Sequence, residues 1–275
     1  MKQIETGSFV SSVLTDCPPA LRIVSWNIAR GLKLEAIVKF LVSADADIIL
    51  LQETDNNARR TGYRNVAREI AQKLGMNYVF GCEFEELAQG TRASPAYHGQ
   101  ATLSRWPLSD STILPFHQQS NFWRPRWFLP TLRPLQRRRG GRMALLNNVL
   151  IPGRSMATYN LHCESKGSDS LRYCQLDEFL KHANSYSLDV PVFAAGDFNF
   201  DLAHGEAAAA LADIGFVNPF AALHEATTTS HSFLSRDRTI DWILLRGPLV
   251  GRNPQVHSSV LASDHYPLSL TVDFS

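Results

Sequence analysis

The sequence predicts an α/β fold in which two β-sheets pack together with helices on the outside. Strand-like and helix-like segments alternate in both halves of the chain, and strand pairs typical of antiparallel hairpins lie between them. No internal repeat or long Gly/Ser linker interrupts the 275 residues, and a hydrophobic content of 44% is enough for one large core. We therefore expect residues 21–275 to form a single domain after a polar lead-in, residues 1–20.

The first half of the chain begins with a strand-helix-strand unit. After Pro18 and Pro19, the β-branched and aromatic residues of LRIVSWNI (residues 21–28) predict a strand. LKLEAIVKFLVSADA carries apolar residues at helical spacing, and DIILLQE is an apolar run typical of a buried strand. NVAREIAQKLG predicts a second helix that ends at Gly75, and MNYVFGCEF predicts the next strand.

From Gly99 onward, strand-like segments dominate. They are GQATLSRWPLSDSTILPF, RMALLNNVLI and SMATYNLH, and the last two are joined by a turn at residues 152–154. Residues 168–184 predict a helix, VPVFAAGDFN predicts a buried strand, and DLAHGEAAAALADIG predicts an Ala-rich helix that ends at Gly215. TIDWILLR and YPLSLTVDF predict the final strands.

Charge and cysteine content bear on the cellular setting more than on the function. The formal net charge is +1, from 27 basic and 26 acidic residues, so overall charge favours no class of partner. Cys17, Cys82, Cys163 and Cys174 show neither a CxxC pair nor zinc-type spacing, which is typical of free thiols in a reducing compartment. No stretch reaches the length of a membrane span. We expect a cytoplasmic monomer.

Polar side chains recur where the predicted strands begin or end. They are Asn27, Glu53, His162, Asp197, Asn199, Asp241, Asp264 and His265. Taken singly, each has an ordinary explanation, because Asn and Asp beside strands are commonly turn residues and a lone His commonly makes a local hydrogen bond. Loops at strand ends are nevertheless where α/β proteins assemble their sites. The joint occurrence therefore indicates a functional site.

A site built from these residues holds four carboxylates, two amides and two imidazoles. Carboxylates packed together repel and desolvate one another, so they need a cation. The conspicuous ligands are oxygen donors without a cysteine cluster, which favours Mg²⁺ or Mn²⁺ over zinc. Such ions often complete their coordination with substrate phosphate. The pattern therefore favours phosphoester hydrolysis, in which a carboxylate activates water and the metal and imidazoles stabilise charge at phosphorus.

Seven short motifs in a fixed order carry a family resemblance. SWNI, LLQE, GQATLSRWPL, NLH, GDFN, TIDWILL and SDHYPL resemble motifs of the endonuclease/exonuclease/phosphatase superfamily of metal-dependent phosphoesterases, which has a deoxyribonuclease I-like fold. The resemblance runs from about Leu21 to the C-terminus. It implies a four-layer α/β sandwich in which two central mixed β-sheets are flanked by helices.

The resemblance implies how the metal and the attacking water are held. Asn27 and Glu53 are expected to hold the metal ion, with Asp264 near it. Asp197 is expected to orient or deprotonate the attacking water. Asn199 is its expected hydrogen-bonding partner at the phosphate.

Two imidazoles complete the set that the resemblance implies. His162 and His265 are expected to bind the phosphate and the transition state. Asp241 is expected to orient His162, and Asp264 to orient His265. An imidazolium beside a phosphate oxygen is useful when a carboxylate keeps it charged and oriented, which agrees with these pairings.

Departures from particular branches of the superfamily bear on the substrate. The abasic-site endonuclease branch usually has an acidic residue two places after WN and a tyrosine at the position of His162, whereas this chain has Ala29 and His162. The signatures of the inositol phosphatases are absent as well. The resemblance therefore favours the branch that contains deoxyribonuclease I-like nucleases, sphingomyelinases and phosphatases.

A basic and aromatic segment, residues 121–142, bears on the choice of substrate. It contains seven arginines, two tryptophans, two phenylalanines and three prolines, and its spacing is neither helical nor strand-like. Arginines interleaved with aromatic rings suit a phosphate backbone with stackable bases. We therefore predict substrate contacts from this segment and from the loop before Gly99: Trp123, Arg124, Arg126, Arg142 and Tyr97.

Two other interpretations of residues 121–142 stay open. The segment can be a solvated loop that its tryptophans attach to the body of the protein. It can also meet an anionic membrane surface, where aromatic rings enter the headgroup region and arginines meet phosphate. Elsewhere, the acidic run Glu83, Glu85 and Glu86 is most simply a solvated cluster, with a place for one of them near the metal ion as the alternative. Arg172 is a helix residue that can support the site from behind.

The function that the sequence favours is metal-dependent hydrolysis of phosphodiester bonds, by a nuclease that acts on DNA or RNA with Mg²⁺ or Mn²⁺. The alternative is a sphingomyelinase-like lipid phosphodiesterase, or a phosphomonoesterase that acts on a small phosphorylated substrate. A binding module without activity is disfavoured, because each position that the chemistry needs carries a competent residue.

Overall fold

Two β-sheets packed face to face form the centre of the protein, as the sequence predicts. The computed structural model describes residues 3–12, 14–123, 138–229 and 237–275. The strands of these residues are, in chain order, β1 Ile4–Ser8, β2 Ala20–Arg30, β3 Ile48–Asn56, β4 Asn77–Glu86, β5 Tyr97–Ser104, β6 Leu108–Pro115, β7 Arg138–Gly140, β8 Met143–Ile151, β9 Arg154–His162, β10 Val192–Asp197, β11 Phe216–Val217, β12 Asp241–Arg246, β13 Leu249–Val256 and β14 Leu268–Phe274.

Both sheets are mixed. Within the described residues, the first sheet has eight strands in the order β1-β4-β5-β3-β2-β14-β13, with β7 added beside β4. The second has six strands in the order β11-β12-β10-β9-β8-β6. β2 runs parallel to β3, and β9 runs parallel to β10. The other neighbours are antiparallel.

Helices cover the outer faces of both sheets. Those of the described chain are α1 Leu34–Ala44, α2 Val66–Leu74, α3 Asp169–Ala183 and α4 Gly205–Asp213. The apolar faces of α1 and α2 pack on the first sheet, and those of α3 and α4 pack on the second. This gives the predicted four layers. None of the helices described is long and apolar enough to cross a membrane.

Local signals in the sequence set the helix ends. The side chain of Asn65 accepts a hydrogen bond from the backbone N–H of Arg68 at the start of α2. Gly75 ends the same helix in the left-handed conformation, with φ of 65°, which glycine adopts without steric cost. Ser168 caps α3 through the N–H of Leu171. The predicted helix boundaries are therefore confirmed to within a few residues.

A polar bridge within the apolar interior ties the two sheets together. Gln52 of β3 donates from Nε2 to Asn160 Oδ1 of β9 at 2.8 Å. Asn160 in turn donates to the carbonyl oxygens of Leu51 and Ala101 at 3.0 and 2.9 Å. Gln52 and Asn160 are both fully buried. Because buried amides must find partners, this bridge fixes the position of one sheet against the other just below the strand ends.

The structure differs from the sequence expectation mainly at sheet edges. β1 lies in the polar lead-in, where no strand was expected, and pairs with β4. β13 contains glycine and proline and has a register shift between Arg252 and Gln255. The long strand-like run from Gly99 divides at residues 105–107 into β5 and β6, which belong to different sheets. Edge strands have one solvated side, so their sequences carry weaker apolar patterns.

Candidate active site

Asp197 lies at the centre of the candidate site. It is the last residue of β10, and its Oδ2 atom accepts a hydrogen bond from Asn27 Nδ2 at 3.1 Å. His162 Nε2 lies 3.6 Å from the same oxygen, and His265 Nε2 lies 3.7 Å from it. These four side chains are nearly buried, with 1–9% of their surface exposed. The structure thus brings together residues that are far apart in the chain.

Strand register explains how three of these residues meet. Asp197 of β10 pairs with His162 of parallel strand β9 and with Asp241 of antiparallel strand β12. Side chains of directly paired residues point to the same face of a sheet. The alternation of β-strands therefore sends the two carboxylates and the imidazole into the space between the sheets.

The loop before β14 brings in His265. The indole N–H of Trp26 donates to the carbonyl oxygen of His265 at 2.8 Å. The hydroxyl of Ser263 donates to the carbonyl oxygen of Asn27 at 2.7 Å. Trp26 and Asn27 belong to β2, so the loop that carries His265 is held against the first sheet. The site consequently contains groups from both sheets.

Asp241 is the partner of His265. Its carboxylate lies 2.9 Å from His265 Nδ1 and accepts a hydrogen bond from the hydroxyl of Thr227 at 2.6 Å. Burial lowers the pKa of His265, but the negative charges of Asp241 and Asp197 outweigh burial and raise that pKa to about 10. His265 is therefore an imidazolium at neutral pH, with Nε2–H directed toward Asp197.

Two predicted pairings were wrong. Asp241 orients His265 and not His162, because β12 presents its first residue toward the loop before β14. Asp264 does not orient His265, since its side chain is exposed and Asp264 Oδ1 accepts a hydrogen bond from Ser263 at 3.2 Å.

His162 is held by Glu83 and Arg142 instead. Glu83 Oε2 lies 3.4 Å from His162 Nδ1, and Arg142 Nη1 lies 2.6 Å from Glu83 Oε1 and 2.8 Å from His162 Nδ1. Arg142 Nη1 also lies 2.9 Å from His162 Nε2, so it contacts both ring nitrogens of His162. His162 Nε2 faces Asp197 Oδ2.

The acidic run in β4 is buried, so the expectation of a solvated cluster was wrong. Glu83, Glu85 and Glu86 are only 3–6% exposed. Burial raises the pKa of Glu83, but the charges of Arg142 and His162 outweigh it and lower that pKa to about 2. Glu86 is paired with Arg138 at 2.6 Å. Glu83 thus lies in the site, which the sequence analysis kept only as a second interpretation, because an acidic run resembles a solvent-facing segment until its cations are known.

Asn27 and Glu53 fit a hard cation. They belong to the parallel neighbours β2 and β3, and the ladder between these strands has a register shift directly after Asn27. Burial raises the pKa of Glu53, but nearby positive charges, led by those of His98 and Arg30, outweigh it and lower the pKa below the usual range. Glu53 has φ of 51°, which is unusual for a residue other than glycine. Among the described residues, its carboxylate has one ion-pair partner, Arg30, at 3.6 Å.

A second set of donor atoms can also be considered for a metal. One ligand atom each from Asp197, Asp241 and His265 lies within 4.8 Å of the others. His265 carries protons on both ring nitrogens at neutral pH, however, and its Nδ1–H already bonds Asp241. A protonated imidazole cannot ligate a metal. Within this cluster the imidazolium of His265 suits a phosphate oxygen, whereas the carboxylates of Asp197 and Asp241 suit a cation.

Asn199 supports Asp197 from the backbone. Its N–H donates to Asp197 Oδ1 at 3.0 Å, and its side-chain Nδ2 donates to the carbonyl oxygen of Cys163 at 3.2 Å. Asn199 has φ of 60°, a conformation that asparagine adopts more readily than most residues. Arg172, in α3, donates to the carbonyl oxygen of Glu164 at 2.7 Å and so supports the loop after β9, as expected.

The predicted substrate-contacting residues occupy different positions. Arg124 and Arg126 lie outside the described residues. Trp123 is half-buried, its indole N–H donates to Glu164 Oε1 at 2.6 Å, and the guanidinium of Arg138 lies 4.6 Å from its ring centroid.

Arg142 is 2% exposed, so it forms part of the site floor and not of an exposed loop. Tyr97 is half-buried at the start of β5, beside His98, whose Nδ1 lies 2.9 Å from Asp55.

Comparison with known proteins agrees with this geometry. The model of the endonuclease/exonuclease/phosphatase family matches residues 24–265, which include every residue placed in the site. The chain belongs to the endonuclease/exonuclease/phosphatase family. Membership in this family of metal-dependent phosphoesterases supports a hydrolytic phosphoesterase. No curated protein matches the sequence significantly.

Solved structures share the fold of this family member at low sequence identity. A family protein from Beutenbergia cavernae has 16% identity and a TM-score of 0.67, over 94% of this chain and 72% of that one. The human Nocturnin catalytic domain with bound sulfate has 17% identity and a TM-score of 0.63, over 99% and 97%. TDP2 from Caenorhabditis elegans has 16% identity and a TM-score of 0.59, over 93% and 74%.

Proposed function

We propose that this family member is a divalent-metal-dependent phosphodiesterase that hydrolyses DNA or RNA. The observation that carries the proposal is the position of Asp197 Oδ2 between two imidazole N–H groups, 3.6 Å from His162 and 3.7 Å from His265. Each imidazole is backed by a buried acid, Glu83 or Asp241. A base flanked by two donors is suited to attack on a tetrahedral anion such as phosphate.

Asp197 is proposed to accept the proton of the attacking water. Asn199 N–H holds Oδ1, so Oδ2 is the oxygen that faces the incoming water. The imidazolium of His265 donates Nε2–H to a non-bridging phosphate oxygen, and His162 donates from Nε2 to another. Both donors are positioned before the substrate arrives, so charge that develops at phosphorus meets groups that need little reorganisation.

Asn27 and Glu53 are proposed to hold Mg²⁺ or Mn²⁺, with Asp264 near the ion. Oxygen donors of an amide and a carboxylate suit such ions. When bound, the ion would neutralise negative charge on the phosphate. The surrounding cations already keep Glu53 ionised, so the carboxylate is ready to bind at neutral pH.

A nucleic acid substrate is favoured by what surrounds the catalytic groups. The described ends of the basic and aromatic segment place Trp123, Arg138 and Arg142 beside His162 and Glu83. Arginine and aromatic side chains next to a phosphate site suit a charged backbone with stacking bases. The four cysteines are all unpaired, which supports the proposal of a cytoplasmic location.

A substrate panel tests the proposal. Plasmid DNA, single-stranded DNA, RNA, sphingomyelin vesicles, inositol phosphates and bis-p-nitrophenyl phosphate are each incubated with Mg²⁺, Mn²⁺ or EDTA. We expect metal-dependent cleavage of a nucleic acid. Cleavage of sphingomyelin or a phosphomonoester without any nucleic acid would overturn the proposed substrate and favour the lipid or phosphomonoester alternative.

A further inference from the structure

A separate cavity lies on the other face of the second sheet from the catalytic side chains. It has a volume of about 360 Å³, and Ile240 and Trp242 form part of its wall. Asp241, between them, points into the catalytic site and bonds His265. Because successive residues of an extended chain point to opposite faces, the cavity and the catalytic site are separated by the thickness of one strand.

The wall of this cavity combines aromatic rings with polar groups. Phe200, Phe220 and Trp242 line it and are 1–8% exposed, so they are fixed by packing. His204 and His224 lie at its edge with nearly parallel rings, at an interplanar angle of 18°. Aromatic walls with a few polar groups are typical of sites for flat ligands that have polar edges. A nucleobase has this form.

Two structural links join the cavity to the catalytic loop. Phe200 directly follows Asn199, the residue that supports Asp197, and its carbonyl oxygen accepts from the indole N–H of Trp242 at 3.1 Å. Arg238 lines the cavity and donates from Nη2 to the carbonyl oxygen of Asn199 at 2.8 Å. An exposed guanidinium therefore lies between the cavity and the site where phosphate is cleaved.

The carboxylates at the cavity edge suit a base better than a phosphate. Asp201 accepts from His204 Nδ1 at 2.8 Å, and Asp169 is paired with Arg172 at 2.6 Å. Carboxylates accept hydrogen bonds from the N–H donors of bases, which are N3–H in thymine and include exocyclic amino groups in the other bases, whereas they repel a phosphate. The cation for a phosphate in this region is Arg238, since arginine matches phosphate geometry with paired donors.

We propose that this cavity binds the base of a nucleotide next to the cleaved phosphate, and that Arg238 contacts the phosphate group that links the two positions. The inference rests on the proposed phosphodiesterase function and adds a substrate-binding site to it. A bound nucleotide chain turns from the catalytic site into the cavity at Phe200, three residues after the end of β10.

Paired chromogenic substrates test this inference. Thymidine 5′-(p-nitrophenyl phosphate) and thymidine 3′-(p-nitrophenyl phosphate) cover both strand directions, and methyl p-nitrophenyl phosphate has the same leaving group without a base. The variants are Arg238→Gln and His224→Asn. Asparagine replaces His224 because it tolerates the φ of 51° that this residue has. His117→Ala is the control, because His117 is exposed and bonds Glu178 on another part of the surface.

For at least one thymidine ester, we expect KM to rise about tenfold in each variant, as loss of a stacking or phosphate contact predicts. The values of kcat/KM for the methyl ester should stay unchanged in the His224→Asn protein, whereas they should fall in the Arg238→Gln protein, because all three esters carry the phosphate. The His117→Ala protein should match the wild type on all three esters. Equal changes on all three esters in the His224→Asn protein, or no change on any, would overturn the cavity assignment while leaving the phosphodiesterase proposal intact.

A wild-type protein that cleaves none of these esters with Mg²⁺ or Mn²⁺ points to failure of the proposed function itself. The cavity is then tested apart from catalysis by titrating wild-type and Arg238→Gln protein with thymidine 5′-monophosphate in a calorimeter. Binding that the substitution weakens supports the cavity site, and the absence of binding to wild-type protein overturns it.

Discussion

At the scale of single residues, the two oxygens of Asp197 have different neighbours. Oδ1 accepts from the backbone N–H of Asn199, whereas Oδ2 faces Asn27 and both imidazoles. Asn199 therefore holds Oδ1, whereas Oδ2 accepts from Asn27 and is the oxygen on the side of both imidazoles. The sequence predicted only that Asp197 and Asn199, two residues apart at a strand end, act at the same phosphate.

Replacing this carboxylate tests the catalytic assignment. Asp197→Asn keeps the shape and the hydrogen bond from Asn199, but it removes the proposed base. We expect kcat on the best substrate of the panel to fall by about 10²–10⁴-fold, the usual contribution of general acid–base catalysis. Asp213→Asn, at an exposed position in α4, is the control. Full activity of the Asp197→Asn protein would mean that another group activates water.

Glu83 gives a prediction about pH. Its folded-state pKa of about 2 is below the ordinary glutamate value of 4.5, so its ionisation stabilises the fold fully above pH 4.5, and this stabilisation is lost as pH falls toward 2. Glu83→Gln leaves Arg142 buried without its counter-ion, and we expect a loss of about 3 kcal/mol near pH 7.

Urea unfolding of both proteins between pH 7 and pH 3 checks this prediction. The difference in the free energy of unfolding between wild type and Glu83→Gln should shrink below pH 4.5. A difference that stays constant over this range would show that Glu83 is not held as a stabilised anion.

At the scale of elements, Gly196 allows β9 and β10 to approach closely just before the catalytic aspartate. It has φ of 150°, and a Cβ atom placed there would overlap the carbonyl oxygen of Leu161 in β9. Parallel pairing of Asp197 with His162 continues directly after this contact. The glycine of the GDFN motif is therefore required for the distance between Asp197 and His162.

Gly196→Ala tests this element. We expect the free energy of unfolding to fall by about 3 kcal/mol, because the added methyl group pushes two paired strands apart. Activity should fall as well, since Asp197 and His162 move relative to each other. Gly153→Ala is the matched control, because Gly153 has φ of 79° but no atom within 4 Å of the added Cβ, so only the backbone cost of about 1 kcal/mol is expected. Thermal unfolding measures the free energy of unfolding of both variants. Equal losses in the Gly196→Ala and Gly153→Ala proteins would contradict the steric explanation.

At the scale of the whole molecule, the candidate site lies between the two sheets. Asn27 and Glu53 belong to the first sheet, whereas His162, Asp197 and Asp241 belong to the second. The hydrogen bond between Asn27 and Asp197 crosses from one to the other. A ligand bound here therefore contacts both halves of the sandwich, and its binding free energy adds to the stability of the folded state.

Metal binding should consequently be visible in thermal unfolding. We expect millimolar Mg²⁺ to raise the Tm of the wild-type protein by about 2–5 °C relative to EDTA. Glu53→Gln should abolish this increase, and Glu206→Gln, at an exposed position of α4, should preserve it. Asp264→Asn tests separately whether that exposed carboxylate belongs to the metal site. An unchanged increase in the Glu53→Gln protein would exclude Glu53 as a ligand.

Much of the molecule follows from the sequence alone. The apolar runs and their caps predicted the helices, the central strands and the two-sheet fold, because these features depend on local periodicity. The strand-end positions of Asn27, Glu53, His162, Asp197 and His265 were also visible, since catalytic loops follow directly from the strands.

Only the tertiary structure decided which acid supports which imidazole. Asp241 meets His265, and Glu83 with Arg142 meets His162, through contacts that join residues 20–79 positions apart in the chain. Such pairings depend on strand register and on the packing of one sheet against the other, and local sequence specifies neither. For the same reason, the sequence could not show that Glu83 is buried, because the charge that makes its burial possible comes from a different strand.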